Sequence, residues 1–133
     1  MTIAMALALL QPQDLATVTA DAADPVEIAR RLDITSFPNS TGPRRKEGLR
    51  TLADYGFTTV TRDGSAAVFE PADKSWTIRV SILDRGDKAL KLCILDRALG
   101  GGSYFSVKPI EVAPGKDGLY RATGNPVADP NCA

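Results

Sequence analysis

The sequence of 133 residues contains no histidine. This absence excludes Ser-His-Asp and Cys-His catalysis, zinc sites built on imidazole, and a histidine pH switch. An excess of charge of either sign is also missing, because sixteen Lys and Arg balance sixteen Asp and Glu. Since a surface that binds nucleic acid normally carries a clear excess of Lys and Arg, we expect no nucleic-acid partner.

Cysteine is scarce, and Cys93 and Cys132 are the only two. An even pair without histidine favours a disulfide over a metal site, and we expect no metal and no cofactor. Cys93 lies in a strand-like run and points away from the apolar residues of that run, whereas Cys132 belongs to a segment without periodicity. We therefore predict a disulfide that holds the C-terminal tail, residues 124–133, on the outside of a sheet. Two unrelated cysteines, one buried and one exposed, are the alternative.

No hydrophobic run reaches the roughly 20 residues that a membrane-spanning helix needs. The first ten residues, Met1 to Leu10, are apolar except for one threonine and suit the central region of a signal peptide. No Lys or Arg precedes them, which departs from the usual signal pattern. We predict that residues 1–20 are a signal peptide and that the protein is periplasmic or secreted. A retained N-terminal helix is the alternative.

Two helices are predicted in the first half of the remaining chain. Asp24 suits a helix N-cap and Pro25 suits the first helical position, so the first helix begins there and ends near residue 32. Pro43 is expected to open a second helix that runs to Tyr55. Gly56 then lies where a left-handed residue commonly ends a helix.

From Phe57 onward the hydrophobic period changes from that of a helix to that of a strand. Apolar residues alternate in Trp76–Leu83 and Ala89–Leu95, and turn residues separate these runs. The predicted fold is α+β, with two N-terminal helices packed on an antiparallel meander sheet of about six strands. Residues 21–133 are expected to form one domain, because the chain is too short for a second core.

A cluster of cations occupies the first turn of the predicted second helix. A helix N-terminus carries partial positive charge, so cations are disfavoured there and an anion would be welcome. We interpret this region as a binding site for a small anionic ligand or for an acidic surface of a protein partner. A solvated basic patch is the alternative. The candidate residues carry hydroxyl or basic side chains: Ser40, Thr41, Arg44, Arg45, Lys46 and Arg50.

Aromatic residues make up 6% of the chain. Tyr55, Trp76, Tyr104 and Tyr120 are interpreted as core and sheet residues rather than as a binding stripe. The triple glycine at 100–102 lacks the Gly-Lys-Ser/Thr ending of a phosphate loop and is interpreted as a hairpin loop.

The function predicted from these features is that of a small exported binding or accessory module without catalytic activity. Its partner would be a protein or a small anionic ligand. One alternative is a hydrolase-type enzyme that uses carboxylates or a lysine, with Asp54, Asp96 and Lys91 as candidates. Another alternative is a structural subunit of an envelope assembly.

Overall fold

The computed structural model describes residues 24–38 and 40–132, and the predicted signal peptide, residues 1–20, lies outside them. Six strands form one antiparallel sheet in which each strand pairs with its neighbour in the chain, which confirms the predicted meander. Within the described residues, no helix is long and apolar enough to cross a membrane. The strands are β1 (Thr59–Asp63), β2 (Ala66–Glu70), β3 (Trp76–Arg85), β4 (Leu90–Ala98), β5 (Phe105–Pro114) and β6 (Tyr120–Ala122).

The first predicted helix is present as α1, Pro25–Arg30. Asp24 caps it, because Oδ1 of Asp24 accepts a hydrogen bond from the backbone N–H of Val26 at 3.1 Å. Ile28 and Ala29 are fully buried against the sheet, on the side of β1 to β3. The guanidinium of Arg62 in β1 also bonds the carboxylate of Asp24, so the start of the helix is fixed to the edge of the sheet.

The prediction of a second helix over residues 43–55 is wrong. Residues 43–50 follow an irregular path, and one short 3₁₀ helix, Ala53–Tyr55, closes the segment. Gly48, in the middle of the predicted helix, has φ of 85°. This left-handed backbone conformation interrupts a right-handed helix, and glycine adopts it at little cost.

A capping box begins the 3₁₀ helix eight residues later than the predicted start. The Thr51 hydroxyl accepts a hydrogen bond from the Asp54 backbone N–H at 3.3 Å, and the Asp54 carboxylate accepts one from the Thr51 N–H at 3.0 Å. Gly56 ends the turn with φ of 91°, in the left-handed conformation expected for it. The helix stop was therefore predicted correctly, whereas the helix start was not.

Alternate residues of the strands form a core on one face of the sheet, beneath α1. The opposite face carries Cys93, which lies in register between Ser81 on β3 and Pro109 on β5. The large strand residues that are fully buried are Phe69, Ile78, Val80, Leu92, Ile94 and Val112.

The predicted disulfide joins Cys93 to Cys132, with the two Cα atoms 5.4 Å apart. It holds the tail on the outer face of the sheet, as expected from the phase of β4. Glu111 on β5 fixes the start of the tail, because its carboxylate accepts hydrogen bonds from the Thr123 hydroxyl and the Asn125 amide, both at 2.7 Å. These two bonds hold the pKa of Glu111 below its usual value.

Candidate functional site

A groove of about 530 Å³ opens at the end of the sheet where β3 begins and β4 ends. Its volume falls in the range typical of ligand-binding pockets. Four segments that are distant in the chain form its walls: the loop at 40–44, residues 55–57, the β2–β3 turn with the start of β3 at 71–76, and the residue just before β5. The lining residues are Ser40, Gly42, Pro43, Arg44, Tyr55, Phe57, Pro71, Asp73, Ser75, Trp76 and Tyr104.

Two stacked aromatic rings form the sheet side of the groove. The ring centroids of Trp76 and Tyr104 are 5.5 Å apart, with an angle of 30° between the ring planes. The Tyr104 hydroxyl donates a hydrogen bond to the backbone carbonyl of Ser40 at 2.5 Å and so ties the two walls together. Tyr104 keeps 41% of its surface exposed, which leaves aromatic area available for contact with a ligand.

Asp96 lies beneath this pair and is fully buried. Its Oδ1 accepts a hydrogen bond from the Trp76 indole N–H at 2.5 Å, and its Oδ2 accepts one from the Gly42 backbone N–H at 2.8 Å. The two oxygens of one carboxylate therefore fix both the indole ring and the loop opposite it. Asp96 is a positioning residue for the groove. It makes no direct ion pair with a described side chain, but Arg45 is close enough to interact with it electrostatically.

Of the six candidate residues, Ser40 and Arg44 line the groove. Arg44 is exposed and makes neither a hydrogen bond nor an ion pair with the residues that the structure describes. Lys46 is also exposed, and its backbone N–H donates a hydrogen bond to the Tyr55 hydroxyl at 2.7 Å. Thr41 is buried, with its hydroxyl unpaired.

Arg45 points into the loop instead of toward solvent. Its guanidinium donates hydrogen bonds to the carbonyls of Thr41 at 2.7 Å and of Pro38 at 3.1 Å, and also to that of Pro43. Desolvation by burial lowers the pKa of Arg45. This side chain holds the groove loop in shape, so the structure gives it a supporting position rather than a ligand-facing one.

Arg50 belongs to an ion-pair network away from the groove. Its Nη2 atom lies 2.7 Å from a carboxylate oxygen of Asp33 and 2.7 Å from one of Asp117. Arg121 on β6 contacts the same two carboxylates at 2.7 and 3.1 Å. The network joins three parts of the chain. Asp33 caps a short 3₁₀ helix that follows α1, Ile34–Ser36; Arg50 lies before the 3₁₀ helix Ala53–Tyr55; and Asp117 and Arg121 belong to the β5–β6 hairpin.

The two carboxylates of this network differ in burial. Asp33 is fully buried, which acts to raise its pKa, but hydrogen bonds from Arg50 and Thr35 outweigh this effect and hold the pKa below its usual value. Asp117 is exposed, and its hydrogen bond from Arg50 is the main cause that lowers its pKa to about 2.

The predicted helix-terminus reason for an anion site does not apply, because residues 43–50 are not helical. The predicted core and sheet positions hold for Tyr55, Trp76 and Tyr120, which pack against the core. Tyr55 and Trp76 also line the groove, as does Tyr104, which lies before β5 and is exposed. A signal was present for Tyr104, which directly follows the glycine-rich hairpin loop and so comes from a segment that favours exposure.

The three residues named for an enzyme do not converge. Asp54 caps the 3₁₀ helix, Asp96 lies under Trp76, and Lys91 lies on the opposite face of β4 from Asp96. Across residues 24–38 and 40–132, no group of three His, Cys, Asp or Glu side chains could hold a metal ion.

A scan with protein-family models finds no match to this chain, and searches of curated proteins and of solved structures find none either.

Proposed function

We propose that this protein is a non-catalytic binding module whose groove takes a ligand with an anionic group beside an aromatic or apolar group. The observation that carries this proposal is the position of Arg44, an exposed guanidinium with no partner among the described residues, next to the stacked rings of Trp76 and Tyr104. Arginine offers up to five donors to an anion, and aromatic faces add contact area with little loss of side-chain freedom.

Backbone strain beside the groove, between the lining residues Asp73 and Ser75, supports the same proposal. Lys74, in the β2–β3 turn, has φ of 56°, a conformation that is uncommon for residues other than glycine. The turn is held by a hydrogen bond from the Lys74 N–H to the Pro71 carbonyl at 3.0 Å. Strained residues cluster at ligand-binding sites, where the surrounding structure has to hold a fixed geometry.

We place the module in an oxidising compartment, either periplasmic or extracellular. The Cys93–Cys132 disulfide supports this placement, because such bonds persist outside the reducing cytoplasm. The signal-peptide prediction for residues 1–20 agrees with it and remains a prediction.

The proposal is tested with 8-anilinonaphthalene-1-sulfonate, a fluorescent probe that joins a sulfonate anion to aromatic rings. Trp76 is the only tryptophan of the chain, so quenching of its emission reports binding of the probe to the protein, and the Arg44 variant then tests whether the groove is the site. We expect saturable binding with one probe per protein and quenching of Trp76. Arg44→Glu should weaken binding about tenfold, because it replaces an attraction with a repulsion worth about 1.4 kcal/mol.

Lys88→Glu is the matched control for this experiment. Lys88 is an exposed cation in the β3–β4 turn, at the end of β3 opposite the groove, so the same charge reversal there should leave the affinity within twofold. Equal affinities of the Arg44→Glu and wild-type proteins for the probe would contradict the proposal.

A further inference from the structure

The end of the sheet that holds the groove carries several cations without partners. Arg44, Lys46, Lys74 and Arg97 are all exposed, and none of their side chains makes an ion pair with a described residue. Asp73, in the groove lining, accepts hydrogen bonds from the Ser75 backbone N–H and hydroxyl at 3.0 and 2.7 Å, and it makes no ion pair with these cations. Glu70 lies two strands away from Arg97. Arg44 lines the groove and Arg97 lies opposite Phe105, so carboxylates of an acidic ligand would complement these two unpaired cations.

The exposed aromatic surface continues beyond the groove. Tyr104 and Phe105 are the exposed large hydrophobic residues of the described chain, and they are consecutive. Tyr104 lines the groove, whereas Phe105 is 58% exposed and lies in register opposite Arg97 on the outer face of the sheet. A ligand confined to the groove would leave this cation and this ring uncovered.

We propose that the occupant is an extended acidic segment of another protein that fills the groove and continues over the end of the sheet to Phe105 and Arg97. An apolar or aromatic side chain of the segment packs on Trp76 and Tyr104, and its carboxylates pair with Arg44 and Arg97. This inference rests on the proposed function and deepens it, since it names the class of ligand for the same groove.

The test uses a random copolymer of glutamate and tyrosine as the probe, with quenching of Trp76 and surface-immobilised binding as readouts. We expect the copolymer to bind, and polyglutamate, which lacks the aromatic group, to bind about tenfold more weakly. A copolymer of lysine and tyrosine should bind at least tenfold more weakly than the glutamate–tyrosine copolymer, because its ammonium groups cannot pair with Arg44 and Arg97.

Two variants outside the groove separate this inference from the proposed function. Arg97→Glu and Phe105→Ala should each lower the affinity for the glutamate–tyrosine copolymer about fivefold to tenfold. The affinity of both variants for the small sulfonate probe should stay within twofold of the wild-type value. Lys88→Glu is again the control for charge reversal.

If the copolymer is insensitive to both outer variants while the sulfonate probe still depends on Arg44, the extended-segment inference fails and the proposed function stands. If oligo(dT) binds more tightly than the copolymer, the partner is a nucleic acid and the inference fails. If neither the copolymer nor the sulfonate probe depends on Arg44, both proposals fail.

Discussion

Replacing Cys93 and Cys132 together with serine is expected to lower the free energy of unfolding by about 4 kcal/mol. The two cysteines are 39 residues apart, and in the chain-entropy model the loss follows from the freedom that the unfolded chain regains when this loop is no longer closed. Equilibrium unfolding in guanidinium chloride measures the change, as a lower midpoint of the transition.

The reduced wild-type protein is the control for the serine substitutions themselves. It should unfold at the same midpoint as the double variant, and dithiothreitol should not affect that variant. The disulfide lies on the outer face, whereas the groove lies at the end of the sheet, so the folded double variant should keep its affinity for the sulfonate probe. A double variant within 1 kcal/mol of the oxidised protein would contradict this account of the tail.

The second large effect is expected for Asp33→Ala, with a loss of about 3 kcal/mol of unfolding free energy. Hydrogen bonds to a charged group contribute about 1.5–3 kcal/mol each and are not additive. The buried Asp33 carboxylate accepts such bonds from Arg50 and from the Thr35 backbone and hydroxyl, and it also pairs with Arg121. Thermal or denaturant unfolding measures the loss.

Two matched variants show whether burial decides the size of this effect. Asp33→Asn keeps the shape and an acceptor for Thr35 but removes the charge, so it should lose about half as much as Asp33→Ala. Asp117→Asn removes the exposed carboxylate that binds the same two arginines and should lose far less. Equal losses of unfolding free energy for Asp33→Asn and Asp117→Asn would contradict this account, because they would mean that burial does not increase the contribution of the carboxylate to stability.

The pH dependence of stability follows from the direction of the Asp33 pKa shift. The pKa in the folded state is below the usual 3.8, so the stabilisation is fully present above about pH 4 and is lost as the pH falls through the folded-state value. The stability difference between wild type and Asp33→Asn should therefore shrink on acidification below pH 4.

Much of the fold could be predicted from strand periodicity and from helix-capping residues, because each of these signals depends only on residues that are close together in the sequence. Apolar and polar residues alternate in β3 and β4, and this pattern correctly predicted which face of the sheet is buried. The same pattern predicted that Cys93 lies on the outer face, where the disulfide is found. Asp24 and Pro25 marked the start of α1. Each of these features depends on the period of the element or on its immediate flanking residues.

The segment 43–55 shows where such patterns fail. Pro43 at its start and the apolar residues Leu49, Leu52 and Ala53 favour a helix. Gly48 instead takes a left-handed conformation, and the Thr51–Asp54 capping box starts a shorter turn. The capping-box pattern, Ser or Thr followed three residues later by an acid, was present in the sequence and conflicted with a helix that had already begun at Pro43.

The groove could not be predicted because tertiary contacts assemble it. Asp96 joins Trp76, 20 residues earlier, to Gly42, 54 residues earlier, and Tyr104 contacts Ser40 across 64 residues. The direction of the arginine side chains depends on the path of the same loop. Arg45 turns to the carbonyls of the loop, whereas Arg44 remains free at the rim.

The indole N–H of Trp76 offers the most direct measurement of whether the groove is the binding site. It gives the single tryptophan side-chain peak in a ¹⁵N–¹H correlation spectrum, and it donates its hydrogen bond to Asp96 beneath the groove. On titration with the sulfonate probe, this peak and the backbone amides of Gly42, Arg44 and Ser75 are expected to shift together along one saturation curve, while those of Lys88 and Gly118 stay in place. Shifts that leave the Trp76 indole and these groove amides unmoved would contradict the account.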